Sequence, residues 1–405
     1  MVTDPAGLAR WVEVHRLAVA GRQAEIARVT GLRVSRVWLR TSRFAAVEAV
    51  ATATLTLGPD AHAFYERGCA RVLTGRPWLA LEDYQQALTM YQQAGIRGNE
   101  AAVLNSIGNV YAGFGERARA ADYYRQALSL EREVDDRAGE AAALTNIGSL
   151  HARLGDWRRA LSYLIQALLI RGETGDRAGE ATILNNIGHV CVGLREWKRA
   201  ADFFIQALCI RREVGDRFGE AATLSNLGHV CDGMGDWRRA LDFYHQVLPI
   251  QREVGDRAGE AATLSSIGLV RFGLREWGRT LDHYHQALSI RQDVGDRVGE
   301  AFSLSNIGHV YAGLGHWRRA LDYHHQALPI LQEVGDRRGE AIVRYNIAMV
   351  HEASGDLDRA IRELEHVVDL ERQIDHPDLE ATAAVLEQFR RQHAAAQESE
   401  SPAGR

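Results

Sequence analysis

Cysteine is scarce in this 405-residue chain. Cys69, Cys191, Cys209 and Cys231 are the only four, and none belongs to a C-x-x-C pair. Buried free thiols in a reducing compartment are the simplest reading. Lysine is scarcer still. Lys198 stands alone among arginines, which codon bias explains as readily as function. No apolar run approaches a membrane span, and the start of the chain has no basic-then-apolar secretory pattern. The expected location is therefore cytoplasmic, with no membrane contact. Catalytic signatures are missing too: there is no G-x-x-x-x-G-K-[ST] loop, no G-x-S-x-G and no H-E-x-x-H. Asp, Glu and His are plentiful, but they recur at equivalent points of a repeat, as scaffold residues do. The expectation is a protein that is not an enzyme and needs no cofactor.

What the chain does have is one forty-residue unit, repeated: G-D-R-x-G-E-A-x-x-L-x-N-I-G-x-V-x-x-x-L-G-x-W-x-R-A-L-x-x-x-x-Q-A-L-x-I-x-x-E-V. Gly108, Gly148, Gly188, Gly228, Gly268 and Gly308 share one repeat position. Fixed self-similarity at this period means a stacked array whose units lack cores of their own and which presents surfaces to partners. Net charge is -5 and 46% of residues are hydrophobic, compatible with a folded, soluble chain.

Each unit can be numbered from its Ala, so that Ala101 is position 1. Positions 4, 7, 8 and 11, such as Leu184, Ile187, Gly188 and Cys191, mark one face of a helix. Gly at position 8 lets a second helix approach closely. Gly155 and Asp156 then end the first helix and cap the next. Arg195 and Arg275 replace that Gly in two units, at up to about 1 kcal/mol each. The second helix carries its own stripe, as in Ala200, Phe204 and Ala207, and Asp216 can cap the following unit. Trp157, Trp197, Trp237, Trp277 and Trp317 recur just after the turn, where they would cover the helix junction. The Arg of G-D-R is expected to form an exposed ion pair with the following Glu, worth under about 1 kcal/mol.

These positions resemble the tetratricopeptide-repeat signature from about residue 61 to 380, in eight units of a long, forty-residue form. That form is similar to the repeats of spindle-orientation adaptors, kinesin light chain and many bacterial signalling proteins. The resemblance implies an all-α fold: a right-handed superhelical solenoid of eight helix pairs whose first helices make the concave wall. Residues 1–60 form a separate helical module, and the end units at 61–100 and 341–380 are atypical, as capping requires. Residues 378–395 read as a final solvating helix and 396–405 as a disordered tail.

On the first helix the stripe opposite the core is positions 2, 6, 9 and 13. Positions 2 and 13 are mostly small (Thr182, Ala222, Ala262, Gly193, Gly233, Gly273), which would leave a hollow. Position 6 supplies Asn146, Asn186, Asn226, Asn306 and Asn346. Position 9 supplies Asn109, His189, His229 and His309. An Asn amide both donates and accepts, so a ladder of them complements a peptide backbone. In the long-repeat adaptors this Asn position contacts bound peptide, which the resemblance carries onto these five residues. The alternative is that they bond to neighbouring repeats. The three His would sit on helices about 8–10 Å apart, too far to share one zinc ion, so no metal is expected. The groove also lacks the Lys/Arg pairs with which chaperone-binding tetratricopeptide domains clamp a carboxylate.

The amino-terminal segment departs from the repeat. Eight Arg against Asp4, Glu13 and Glu25 give residues 1–45 a net +5, leaving -10 for the remainder. A basic head on an acidic body hints at nucleic acid. Residues 22–40 resemble the helix-turn-helix of transposases and small bacterial regulators, with Ala27 at the helix crossing and Gly31 at the turn. That resemblance implies a recognition helix exposing Arg33, Ser35, Arg36 and Arg40 to DNA. The competing reading is an extra helical pair capping the solenoid. Two functions follow: an interaction scaffold binding a peptide or protein segment in its groove, or a DNA-binding regulator whose solenoid senses a peptide. A third is a sensor that works with a separately encoded NTPase.

Overall fold

The computed structural model describes residues 5–400, without the side chains of residues 5, 6, 40 and 396–400. Every regular element among the described residues is an α-helix. The chain divides into two compact units, Met1–Ile210 and Arg211–Arg405.

The first unit opens with α1 (Pro5–Ala20), α2 (Ala24–Arg40) and α3 (Phe44–Leu55). Helix pairs follow: α4 (Ala61–Leu73) with α5 (Pro77–Ala94), α6 (Arg97–Gly113) with α7 (Arg117–Glu133), and α8 (Arg137–Arg153) with α9 (Trp157–Thr174). The pair α10 (Arg177–Gly193) and α11 (Trp197–Val214) comes last, and α11 ends beyond the division. The second unit holds α12 (Arg217–Gly233) with α13 (Trp237–Val254), α14 (Arg257–Gly273) with α15 (Trp277–Val294), α16 (Arg297–Gly313) with α17 (Trp317–Val334), and α18 (Arg337–Ala353) with α19 (Leu357–Gln373). Helix α20 (Leu379–Glu400) packs on α19. It runs through residues 396–400, which the sequence assigned to a tail; residues 401–405 lie outside the described residues. Eight pairs thus occupy the span where the sequence places eight repeats.

Seven of the eight pairs close on a glycine at position 8, and α18–α19 has Ala348 there. A Cβ at Gly188 would stand 2.5 Å from the Phe204 ring, and one at Gly148 would stand 2.8 Å from Leu164. Leu184, Ile187 and Cys191 are buried on the same face, as the helical spacing requires. The caps are those the sequence specifies. Asp216 Oδ1 accepts from the Gly219 amide at 2.9 Å, and Asp156 begins α9 in the same way. Arg195 and Arg275 adopt φ of 59° and 58°, the left-handed turn that glycine takes in the other units.

The junction ion pair differs from its expectation. Arg217 donates to Glu220 at 2.7 Å, but Glu220 is buried and also accepts from Arg212 at 2.7 Å. Arg217 reaches Glu253 of the next unit at 2.6 Å. The glutamate is a buried node between successive repeats, because the tight G-D-R-x-G-E turn tucks it under the end of the preceding helix.

The amino-terminal segment also differs. Helix α2 is continuous through Gly31, so the turn expected there is absent. The reason is close packing: a Cβ at Gly31 would lie 3.0 Å from Thr54 Oγ1 and 3.3 Å from the His15 ring. Glycine serves here to admit α1 and α3. The real turns are at Arg22 and Ser42, both with positive φ. Val34 and Trp38 share a core with Val47 and with Ala70 of the first repeat. Helix α2 packs on α4, so the segment stacks onto the array.

Candidate functional site

The outward stripe of the first helices carries the ladder. Asn146 and Asn186 in the first unit, and Asn226, Asn306 and Asn346 in the second, are all half-buried. Asn109, His189, His229 and His309 are exposed one helical turn further on. Their local bonding is uneven. Among the described residues no protein partner holds the amides of Asn146, Asn186 or Asn306. Asn346 donates weakly to Ser305 of the preceding repeat at 3.3 Å. Asn109 Oδ1 accepts from Tyr124 at 2.7 Å, and His229 Nδ1 shares a hydrogen bond with the Tyr244 hydroxyl at 3.0 Å. His189 meets the Phe204 ring edge-on, and His309 lies against Phe272. The position-9 imidazoles therefore lean on the aromatic cores, while three position-6 amides stay open. Partial desolvation of their rings against the neighbouring aromatics lowers His229 and His309 from the usual imidazole value, which favours the neutral ring with one acceptor nitrogen.

The hollow is partly filled. The Trp157 ring covers Gly193, where a Cβ would come within 2.7 Å of it. Position 13 is small there because the tryptophan of the preceding pair packs over it. Among the described residues no cluster of His, Cys, Asp and Glu is arranged to hold a metal ion.

Three cavities open on this surface. In the second unit, one of about 250 Å³ is lined by His309, Trp317, His324, Tyr345 and Asn346. Next to it, Tyr345 and Asn346 also border one of about 290 Å³ with Arg338, Glu371 and His376. Asn346 and His309 thus line one cavity. In the first unit a cavity of about 170 Å³ is lined by Arg36, His62, Tyr65, Glu66, Tyr91 and Asn99.

Two residues of these cavities escaped the sequence reading. His324 is fully buried, burial and the neighbouring His309 and His325 push its pKa down to about 4, and its Nε2 has no protein partner. Glu66 occupies position 6 of the first unit, where later units carry Asn or Ser. The available signal was departure from the repeat at a fixed position: His for an aromatic in one case, Glu for Asn in the other.

Of the four residues expected on a DNA-reading face, Arg33 and Arg36 are exposed, and Arg33 lies over the Trp11 ring at 5.3 Å. Ser35 is fully buried and cannot reach a ligand there. The side chain of Arg40 lies outside the described residues.

The family model for the tetratricopeptide repeat matches residues 99–173, 139–213, 179–253 and 259–333, and a second tetratricopeptide-repeat model matches 341–374. The chain belongs to the tetratricopeptide-repeat family. Among solved structures, the apo form of RapI is similar at a TM-score of 0.64 and 14% identity, over 87% of this chain and 99% of that one. Aspartyl phosphate phosphatase F from Bacillus subtilis is similar at 0.57 and 12% identity, over 85% and 94%. A Rap protein complexed with competence and sporulation factor is similar at 0.55 and 14% identity, over 92% and 99%. No curated protein matches the sequence. At these identities the likeness is one of fold. Tetratricopeptide folds of this kind typically serve protein interaction. No described helix is long and apolar enough to cross a membrane.

Proposed function

We propose that this protein is a non-enzymatic, cytoplasmic scaffold that holds an extended peptide or protein segment along the wall of its first helices. The observation that carries the reading is the open, half-buried state of the Asn146, Asn186 and Asn306 amides at one repeat position. An extended backbone presents alternating N–H and C=O groups, which such amides pair without regard to side-chain identity. A protein of similar fold is solved in complex with competence and sporulation factor, so this fold can carry a bound ligand. The regulator reading draws only on the exposed Arg33 and Arg36; the buried Ser35 and unbroken α2 favour a cap.

The test is capture of partners on the full chain, followed by Asn146→Ala with Asn186→Ala. The double variant should weaken binding of the captured segment by about tenfold or more while melting stays nearly unchanged. Equal losses of binding and stability would return these residues to a structural role between repeats.

A further inference from the structure

The first rung of the ladder is a carboxyl group. Glu66 is only 5% exposed, and no cationic side chain among the described residues comes within ion-pair distance of it. A buried carboxyl group without a counter-charge is costly to ionise. Burial raises its pKa to about 8, against smaller opposing effects of Ser35 and Arg36 and a small upward push from Asp60. The group lines the 170 Å³ cavity between α2, α4, α5 and α6.

Arg36 lines the same cavity from α2. It acts on Glu66 through its charge, yet makes no ion pair of its own among the described residues. A buried carboxyl group and a guanidinium, neither of them in an ion pair among the described residues, therefore face one small space. Tyr91 and His62 are already bonded to one another at 2.7 Å, and Tyr65 bonds to Ser106 at 3.3 Å, so the surrounding walls are braced. His62 and Ala102 are position-2 residues of their units, which puts the cavity on the ladder's own stripe. Of the polar lining residues that the repeats contribute, only Tyr65 has a counterpart at the same position of a later repeat, Tyr345; neither His62 nor Glu66 does. A repeat scaffold has no structural need for a carboxyl group at this rung.

A ligand that completes the site must bring a cation to Glu66 and an acceptor to Arg36, a short distance apart. We propose that the cavity binds an α-ammonium group together with its adjoining carbonyl or carboxylate, with Glu66 holding the ammonium and Arg36 donating to the oxygen. A free amino acid and the amino terminus of a peptide share this chemistry. Binding leaves Glu66 ionised, its proton passing to solvent. If the ligand is a peptide, the assignment rests on the groove reading and gives it a direction, with the amino terminus at the first repeat.

The test is thermal and calorimetric titration of the full chain with three probes. These are a pool of the twenty standard amino acids, a pool of X-Ala-Ala amides with every first residue, and the same amides N-acetylated. One of the first two pools should bind with release of protons to buffer, identifying the source, and the acetylated pool should not. Glu66→Gln should weaken the response about tenfold or more. Ala102→Leu, filling the cavity from an exposed position on its other wall, should do the same. Gln85→Ala, on an exposed face of α5 outside the cavity, is the control and should leave this response intact; partner capture reads the amide ladder separately, so failure of that reading is told apart from failure of this one. Silence from both free-ammonium pools, equal binding of the acetylated pool, or unchanged binding by Glu66→Gln would overturn the proposal.

Discussion

Gly228 lies against the ring of Tyr244 so closely that a Cβ on it would stand 2.5 Å from Cε1. Tyr244 is itself 1% exposed and packed in the core of its unit. Neither helix can retreat without opening that core.

Gly228→Leu should therefore lower stability by about 1–3 kcal/mol or more through overpacking. Chemical denaturation reads this as a lower midpoint at unchanged slope. An unaltered midpoint would mean the α12–α13 contact is not packed as described.

Much of the fold was legible because a repeat writes the same instruction many times. Glycine at position 8, the Asp caps and the Leu184-type stripe each carry a local physical requirement, and each is met. The Gly31 turn was misread because a glycine that admits a neighbouring helix looks the same in sequence as one that turns the chain. Whether a residue such as Glu220 is exposed depends on the neighbouring repeat, which no helical wheel contains. At the candidate site the ladder positions were legible, but their bonding was not. Tyr124 and Tyr244 engage Asn109 and His229, while nothing in the described structure engages Asn146.

The junction glutamates predict acid sensitivity. Burial raises Glu140 and Glu220, but hydrogen bonds from Arg132 and Arg137, or Arg212 and Arg217, outweigh it and hold both below the ordinary value of 4.5. A lowered folded pKa contributes stability that is present above the unfolded value and lost as pH falls through the folded one. The melting temperature should drop as pH is taken below 4.5, and Glu220→Gln should shrink that drop. A variant with the full acid response would place the sensitivity elsewhere.

Glu66 predicts the opposite dependence. Its folded pKa of about 8 lies above the ordinary 4.5, so its contribution is best at low pH and is lost as pH rises from 4.5 through 8. In the absence of ligand, Glu66→Gln should melt above the wild type at pH 8 and converge with it near pH 4.5. A variant less stable than wild type at pH 8 would show that the carboxylate is already satisfied.

The amino-terminal helices give the last prediction. If they cap the array, Trp38 matters for stability and the arginines do not. Trp38 is 9% exposed and shares a core with Val34, Val47 and Ala70, so Trp38→Ala should cost about 3–5 kcal/mol. Arg33→Ala with Arg36→Ala should change melting little, since both side chains are exposed. A cap should not retard duplex DNA even at low salt, where phosphate contacts are strongest. Salt-sensitive retardation that the double arginine variant abolishes would instead make this basic segment a nucleic-acid surface, read by a single continuous helix.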